Sequence, residues 1–225
     1  MAVAPGGLAA SSIPPPEPAF DCALCPRLVA YRAANRAAEP TWHNAPVHSF
    51  GNPAAQLLIV GLAPGRKGAN RTGRPFTGDY AGELLYGTLL EFGWARGSYL
   101  ARADDGLALS GCMITNAVRC APPDNKPLPA ELAECRAYLT QRIRSLRQLA
   151  AILALGRIAH DAVLAALGLR RSVYRFAHGA RHSLPSGHTL FDSFHCSRYN
   201  TSTGKLTTNM FRAVFQAVQT ELGRA

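Results

Sequence analysis

Four short apolar segments separated by helical stretches constrain the fold of this chain more strongly than any other feature. Each segment has seven residues and is typical of a buried parallel strand. They are residues 56–62 (QLLIVGL), 112–118 (CMITNAV), 149–155 (LAAILAL) and 189–195 (TLFDSFH). The third is rich in Ala and Leu and could be read as a helix, but its length and the following Gly156 favour a strand.

Helical stretches alternate with these strands, at residues 81–92, 129–147, 157–167 and 207–222. The last carries an apolar stripe at helical spacing, formed by Met210, Phe211, Val214, Phe215 and Val218. This alternation predicts an α/β fold, a three-layer α/β/α sandwich around a central four-stranded parallel sheet.

Ligands of such sheets bind beyond the carboxyl ends of the strands. The segments that follow the predicted strands are therefore the candidate site. They are residues 63–70, 119–125, 156–157 and 196–203.

The charge balance points to a polyanionic partner. Lys and Arg number 24 against 14 Asp and Glu, a net charge of +10 with a pI near 9.8. Nucleic acid is the first candidate, an acidic membrane surface the second, and a merely solvated basic surface the alternative. The hydrophobic fraction of 48% and charged fraction of 17% exclude a wholly disordered chain. No apolar run is long enough to predict a transmembrane helix.

Composition also divides the chain. Residues 1–18 are rich in Pro, Ala and Gly and predict a disordered leader, which leaves residues 19–225 as one domain. The leader has no basic start and no unbroken apolar stretch, so it makes a poor signal peptide. We therefore expect a cytoplasmic protein, associated with the nucleoid if nucleic acid is its partner.

Cysteines form the next pattern. The chain has six, too few for a disulfide scaffold, and in a reducing compartment paired cysteines suggest a metal. Cys22 and Cys25 form a C-x2-C pair, while Cys120 and Cys135 form a wider one. Four thiolates suit tetrahedral zinc or a [4Fe–4S] cluster, and the wide second pair favours iron–sulfur. The alternative is four unconnected cysteines. Cys112 and Cys196 are better read as buried or site-adjacent residues than as ligands.

The glycine-rich loop after the first strand matches neither a Walker loop nor G-x-G-x-x-G. Three longer motifs are more specific: GLAPGRKGANRTGRPFTGDYAG at 61–82, TNAVRC at 115–120 and FHCSRYNTSTGKLT at 194–207. Together they resemble family 5 uracil-DNA glycosylases, the type b enzymes, from about Phe20 to the C-terminus. The four cysteines fall where the iron–sulfur members of that superfamily hold a [4Fe–4S] cluster.

Two positions within the motifs distinguish this chain. Leu62 replaces the carboxylate that family 4 enzymes carry after the first glycine, which is the family 5 pattern. Cys196 stands where the family usually has the proline of His-Pro-Ser. Losing that proline frees a backbone angle and restores an N–H, so we expect a less rigid loop.

The resemblance implies a monomeric DNA repair glycosylase that hydrolyses the N-glycosidic bond of uracil and leaves an abasic site. It also implies activity on other deaminated bases, such as hypoxanthine and xanthine. The alternatives are a narrower, family 4-like uracil glycosylase and a non-catalytic iron–sulfur protein that binds nucleic acid.

The resemblance assigns catalytic roles to three residues. His195 would donate a hydrogen bond to uracil O2 as negative charge develops there. Asp79 would orient the attacking water or stabilise the cationic sugar, although its place before a helix also suits an N-cap. Asn116 would read the Watson–Crick edge of the base.

Further residues are candidates for binding. Phe76 would stack on the flipped base, and the backbone of Gly61, Ala63 and Gly65 would frame the pocket. Ser197, Arg198, Asn200 and Lys205 are the candidate DNA contacts, and either Arg198 or Tyr199 would wedge into the duplex. Additional charge on the same face is expected from Arg66, Lys67, Arg71 and Arg74. The basic, aromatic stretch at 170–182 is either a DNA contact or a solvated loop.

Overall fold

The protein is described from a computed structural model that covers residues 17–224. Within these residues eight strands form, in chain order β1 to β8: Phe50–Gly51, Leu57–Gly61, Ala95–Arg96, Ala108–Leu109, Cys112–Asn116, Ala151–Leu155, Arg181–Ser183 and Thr189–Ser193. Six of them build the central sheet in the order β1-β5-β2-β6-β8-β7, and β3 pairs with β4 in a separate hairpin.

The predicted four-stranded parallel sheet is confirmed as the centre of a larger one. Strands β5, β2, β6 and β8 run parallel to one another, and all five residues of each are buried. The sheet continues at each edge with one antiparallel strand, β1 beside β5 and β7 beside β8. These edge strands have only two and three residues, too few to show an alternating pattern.

Seven α-helices, α1 to α7, complete the described part of the chain: Pro26–Ala38, Ala69–Thr72, Tyr80–Glu91, Pro129–Ser145, Arg157–Ala166, Arg198–Ser202 and Thr208–Glu221. The four predicted helices are α3, α4, α5 and α7, with bounds shifted by one or two residues. Helix α1 is an addition. Within residues 17–224 no helix is both long and apolar enough to cross a bilayer.

Helices cover both faces of the sheet, which gives the predicted three layers. On one face Leu57, Ile59 and Phe191 pack with residues of α3 and α7, including Phe211. On the other face Leu58, Val60, Ile152 and Leu190 pack with α4 and α5, through residues such as Leu139 and Val163. The two cores fix the sheet, and so the positions of the loops at its carboxyl edge.

The predicted leader falls almost entirely on residues 1–16, outside the described residues. Its last two residues belong to the folded unit. Glu17 accepts a hydrogen bond from Ser49 N at 3.1 Å and pairs with Arg119 at 2.8 Å. The ring of His48 is 2.9 Å from Pro18 O. Within the described residues, Glu17 and Pro18 therefore contact the folded unit that the sequence predicts for residues 19–225.

Candidate active site

A cavity of about 580 Å³ opens at the carboxyl edge of the parallel sheet. Its size is that of a pocket for a small molecule or a nucleobase. We call it the base cavity. Its walls come from the loop after β2, the start of α3, the end of β5 and the loop after β8. Predicted site residues that line it are Ala63, Gly65, Phe76, Asp79, Asn116, His195, Ser197 and Arg198.

Gly61 lies behind the base cavity rather than in its lining. A Cβ at this position would come within 2.4 Å of Asn116 Oδ1 and 2.5 Å of Phe76 Cζ. Real Cβ atoms do not approach other atoms so closely, so only glycine lets Asn116 and Phe76 meet against the end of β2. The predicted role of Gly61 in shaping the pocket therefore acts through these two side chains.

Phe76 forms one wall. Its backbone is left-handed, with φ of 53°, a conformation that side chains other than those of Gly, Asn and Asp rarely adopt. Its ring stacks on the ring of His195, with centroids 5.9 Å apart and planes 27° apart. Strained residues of this kind concentrate at functional sites.

Asn116 supplies an unsatisfied acceptor. The residue ends β5 and is only 2% exposed, and its Oδ1 is buried without a hydrogen-bond partner among residues 17–224. An unpaired buried amide oxygen costs free energy of about 1–3 kcal/mol. A ligand that donates a hydrogen bond at this point would remove that cost.

His195 follows β8 in the loop that closes the base cavity. Burial lowers the pKa of its imidazole to about 4, so the ring is neutral near pH 7. Asn200 Nδ2 donates to the carbonyl of His195 at 2.8 Å, and Cys196 is completely buried. This bond restrains the loop where the sequence lacks proline, so the expected loss of rigidity is offset.

Asp79 lies where both interpretations of the sequence expect it, at the start of a helix and in the wall of the candidate active site. It is the N-cap of α3, where its Oδ1 accepts from Gly82 N at 3.3 Å, and it also lines the base cavity. Burial raises the pKa of its carboxyl, partly offset by the backbone N–H groups of Gly82 and Ala81. A Cβ on Gly68 would lie 2.4 Å from Asp79 Oδ2, so glycine is required there too.

Asn125 is a site residue that the sequence reading missed. A Cβ on Gly65 would lie 3.2 Å from Asp79 Oδ2 and 3.9 Å from Asn125 Oδ1, so both side chains flank that glycine at the cavity wall. Asp124 and Asn125 are both left-handed, with φ of 54° and 56°. The available signal was the Pro-Pro-Asp-Asn turn that follows β5.

The candidate DNA contacts divide between two places. Ser197 and Arg198 line the base cavity, and Arg198 lies over the ring of Tyr80 at 5.2 Å. Asn200 and Lys205 instead line a neighbouring cavity of about 600 Å³, which shares Leu62 and His195 with the base cavity.

Tyr199 is one of the two candidates for the residue that wedges into the duplex. It is 72% exposed, so its ring projects from the surface beside the base cavity. Arg74 does not add charge to this face, and that expectation was wrong. Its guanidinium is 4% exposed and donates two hydrogen bonds of 2.7 Å to Asp105, so its charge is neutralised inside the fold.

The four paired cysteines converge at one place. Cys22 precedes α1, Cys25 caps its start, Cys120 follows β5 and Cys135 lies within α4, and all four line a single cavity. The pKa of Cys25, Cys120 and Cys135 is raised to about 11 each, chiefly by burial and in smaller part by the charges of neighbouring cysteines. We call this set the four-cysteine region.

The surroundings of these thiols suit an anionic four-thiolate centre. Arg32 Nη1 lies 3.6 Å from Cys120 Sγ, and Arg32 Nη2 donates to Cys22 O at 2.9 Å. Arg119 also lines the same cavity. The two other cysteines lie elsewhere: Cys112 is in β5, with its Sγ 3.3 Å from Trp94 O, and Cys196 is beside His195.

Comparison with known proteins identifies the family of the chain. The family described as the uracil DNA glycosylase superfamily matches residues 48–219, so the chain belongs to that superfamily. The type-5 uracil-DNA glycosylase of Thermus thermophilus is 49% identical over 199 residues, covering 86% of this chain and 90% of the relative. That of Pyrobaculum aerophilum is 35% identical over 207 residues and covers 90% of each chain. Within the superfamily, the chain belongs to the type-5 uracil-DNA glycosylases.

A type-4 enzyme gives a weaker match. The type-4 uracil-DNA glycosylase of Archaeoglobus fulgidus is 37% identical over 114 residues, covering 50% of this chain and 49% of the relative. The narrower family 4-like interpretation is therefore disfavoured.

Proposed function

We propose that this protein is a DNA repair glycosylase that hydrolyses the N-glycosidic bond of uracil in DNA and leaves an abasic site. We extend the proposal to hypoxanthine and xanthine, and to a monomer that acts on the DNA of the nucleoid. The observation that carries it is the unsatisfied Oδ1 of Asn116, a residue that lines, together with Phe76 and His195, a cavity large enough to admit a nucleobase.

Asn116 accounts for the choice of base. Uracil presents an N–H donor beside a carbonyl acceptor, whereas cytosine presents a ring-nitrogen acceptor in place of that donor. Asn116 Oδ1 therefore accepts from uracil N3–H and faces a second acceptor in cytosine. Hypoxanthine and xanthine present the same N–H and carbonyl pair at N1 and O6, while adenine does not. The cavity of about 580 Å³ has room for a purine.

His195 stabilises the leaving base. When the C1′–N1 bond breaks, its electron pair passes to the base and negative charge develops on O2. A neutral imidazole N–H can donate to that oxygen, and the low pKa of His195 keeps the ring neutral at working pH. A positioned donor of this kind stabilises the transition state more than the ground state.

Asp79 and Asn125 hold the attacking water. Their side chains flank Gly65 at the cavity wall. The water oxygen bonds to C1′, and its proton passes to the Asp79 carboxylate, whose raised pKa favours that acceptance. The base anion leaves and takes a proton from solvent, and Asp79 returns its proton to solvent, so the reaction consumes one water molecule.

The residues after His195 bind the DNA around the flipped nucleotide. Ser197 and Arg198 lie at the cavity mouth, where a hydroxyl and a guanidinium suit phosphate contacts. We assign the wedge to Tyr199, because its ring is exposed while Arg198 packs over Tyr80. Asn200 acts on the loop itself through its bond to the His195 carbonyl.

We propose that Cys22, Cys25, Cys120 and Cys135 hold one [4Fe–4S] cluster with a structural role. Such a group would link the start of α1, the loop after β5 and α4 covalently. Arg32 and Arg119 would balance the negative charge of the thiolates.

The test is an excision assay on matched duplexes that carry uracil, hypoxanthine, xanthine, cytosine or adenine at one position, scored for abasic sites. We expect excision of the three deaminated bases only. Asn116→Leu should slow all three at least about 100-fold, since the buried acceptor is lost. The control Asn209→Ala changes an exposed amide on α7 and should leave every rate unchanged.

Two results would contradict the proposal. DNA binding without any abasic sites would select the non-catalytic interpretation. Full activity of Asn116→Leu would remove Asn116 from base recognition.

A further inference from the structure

The basic stretch that the sequence left open lines a third cavity on the same face of the molecule. It has a volume of about 510 Å³, and its lining includes Arg157, Arg171, Arg175 and Asp161. Three guanidinium groups therefore face one carboxylate. We call this the arginine cavity.

Little in the arginine cavity neutralises these charges. Arg171 reaches Asp161 only at 3.4 Å, with 70% of its side chain exposed. Arg157 lies over the ring of Phe176 at 5.4 Å, which leaves its donors available. Arg175 is exposed and forms no ion pair within residues 17–224. A concave surface with an excess of free guanidinium donors is complementary to phosphate.

The arginine cavity is continuous with the base cavity. It shares Arg157 and Phe176 with the neighbouring cavity, which in turn shares Leu62 and His195 with the base cavity. All three lie along the carboxyl edge of the sheet. A strand that places its base beside His195 can continue along this face towards the arginines.

The loop that carries Arg171 and Arg175 is anchored by a buried polar cluster. Asp192 on β8 is fully buried, and its two oxygens lie 2.7 Å from His160 Nδ1 and 3.1 Å from His182 Nε2. The other ring nitrogen of His160 is 2.9 Å from Tyr174 O. The backbone of Asp192 also exchanges hydrogen bonds with Gly179 and Ala180.

This anchoring has an energetic consequence for binding. Side chains on a fixed backbone lose less conformational entropy when they bind than side chains on a mobile loop. The backbone that carries the arginines is thus held in place before DNA binds. A merely solvated loop would not require such anchoring.

Resting on the proposed function, we propose that the arginine cavity binds backbone phosphates of the strand that carries the target base, at a distance from the flipped nucleotide. This extends the DNA contact beyond Ser197 and Arg198 to a second, preorganised anion site. It gives residues 170–182 a role in affinity, and none in base recognition or bond cleavage.

The experiment measures binding of a duplex with a stable abasic-site analogue at its centre, over a range of salt concentrations. Arg171→Ala/Arg175→Ala should bind at least about tenfold more weakly, and its log–log salt slope should be shallower by about 2, because two phosphate contacts are lost. Single-turnover excision at saturating protein should be unchanged. The matched control is Arg144→Ala/Arg147→Ala, which removes the same charge from exposed residues before β6, at the opposite edge of the sheet. It should bind within about twofold of the unchanged protein.

A second probe identifies the strand. Neutral methylphosphonates replace phosphates flanking the abasic site, either in the target strand or in its complement. The unchanged protein should lose affinity with the target-strand probe, and the Arg171→Ala/Arg175→Ala variant should lose correspondingly less. Coupling to the complementary strand, or equal losses in the two double variants, would overturn the proposal. A protein that binds the abasic duplex through these arginines but excises nothing would sink the proposed function and leave this site standing.

Discussion

Asn116 ends β5 and Cys120 lies four residues later in the loop that follows, yet buried polar groups have opposite surroundings in the base cavity and in the four-cysteine region. In the base cavity an amide oxygen is buried without a partner and Phe76 is left-handed. In the four-cysteine region the thiols are enclosed by one another and by Arg32. These surroundings are consistent with the two proposals above, a ligand that enters and leaves the first site and a cluster that stays in the second. Substitutions should therefore reduce activity in the first and stability in the second.

The largest expected effect is on stability. Cys135→Ala would remove one of the four proposed cluster ligands and should lower Tm by at least about 10 °C, because the proposed link between α1 and α4 would be lost. Visible absorbance should disappear with it. The unchanged protein should contain about four iron and four sulfide per chain. The control Cys112→Ala changes an equally buried thiol in β5 and should keep the absorbance. Stoichiometric zinc, or equal loss of stability in both variants, would contradict the cluster.

The next effect falls on activity alone. His195→Ala should slow single-turnover excision about 100- to 1000-fold, as expected for one lost donor to developing charge. Duplex affinity should change little, and Tm should stay within a few degrees. A large fall in Tm would show that His195 stabilises the fold, as the four-cysteine region is expected to do. Full activity would show that His195 has no catalytic role.

The Asp79→Asn variant separates two roles of Asp79, its negative charge and its capping of α3. The amide can still cap α3, but it cannot take a proton from water, so excision should slow about 100-fold or more. The folded protein raises the pKa of Asp79, so the active carboxylate is lost as pH falls through a value above 3.8. The acid limb that Asp79 causes should be absent from the variant, and any limb that remains should lie near pH 4 or below, where His195 becomes protonated.

The stability of the Asp79→Asn variant should not fall with its activity. Removing a charge whose ionised form is disfavoured by burial should leave Tm equal or higher above that pKa. Full activity of Asp79→Asn would show that Asp79 only caps the helix.

The smallest effect concerns Asn200, which the sequence assigned to DNA. If it positions His195 through the carbonyl, Asn200→Ala should slow the single-turnover step about tenfold and leave the salt dependence of binding unchanged. A contact with phosphate would give the reverse: weaker binding, a shallower salt slope and an unchanged rate.

The sequence predicted the central fold because the buried strands and amphipathic helices carry strong periodic signals. Helix α1 escaped because its buried positions include Arg32 and Asn35, so it has no clear apolar stripe. Strands β1 and β7 escaped because they are defined by pairing with β5 and β8 rather than by pattern.

The sequence motifs contain most of the residues that line the base cavity, but they could not predict the distances between those residues. Asn125 lies in an irregular turn, where no periodicity marks a functional side chain. Arg74 shows the converse error: a motif arginine looks like surface charge until its partner Asp105, 31 residues later in the chain, is seen to enclose it. The anchor of His160, Asp192 and His182 likewise depends on contacts between distant segments.

The left-handed backbone of Phe76 helps to interpret the residue found at this position in homologous chains. Local geometry at that position favours glycine or asparagine, and adopting it with an aromatic residue costs about 1–3 kcal/mol. Only the ring's place against His195 requires phenylalanine. A homologous chain with glycine or asparagine there would keep the turn and lose the stacking wall. We therefore expect such a chain to hold a base less firmly than this one does.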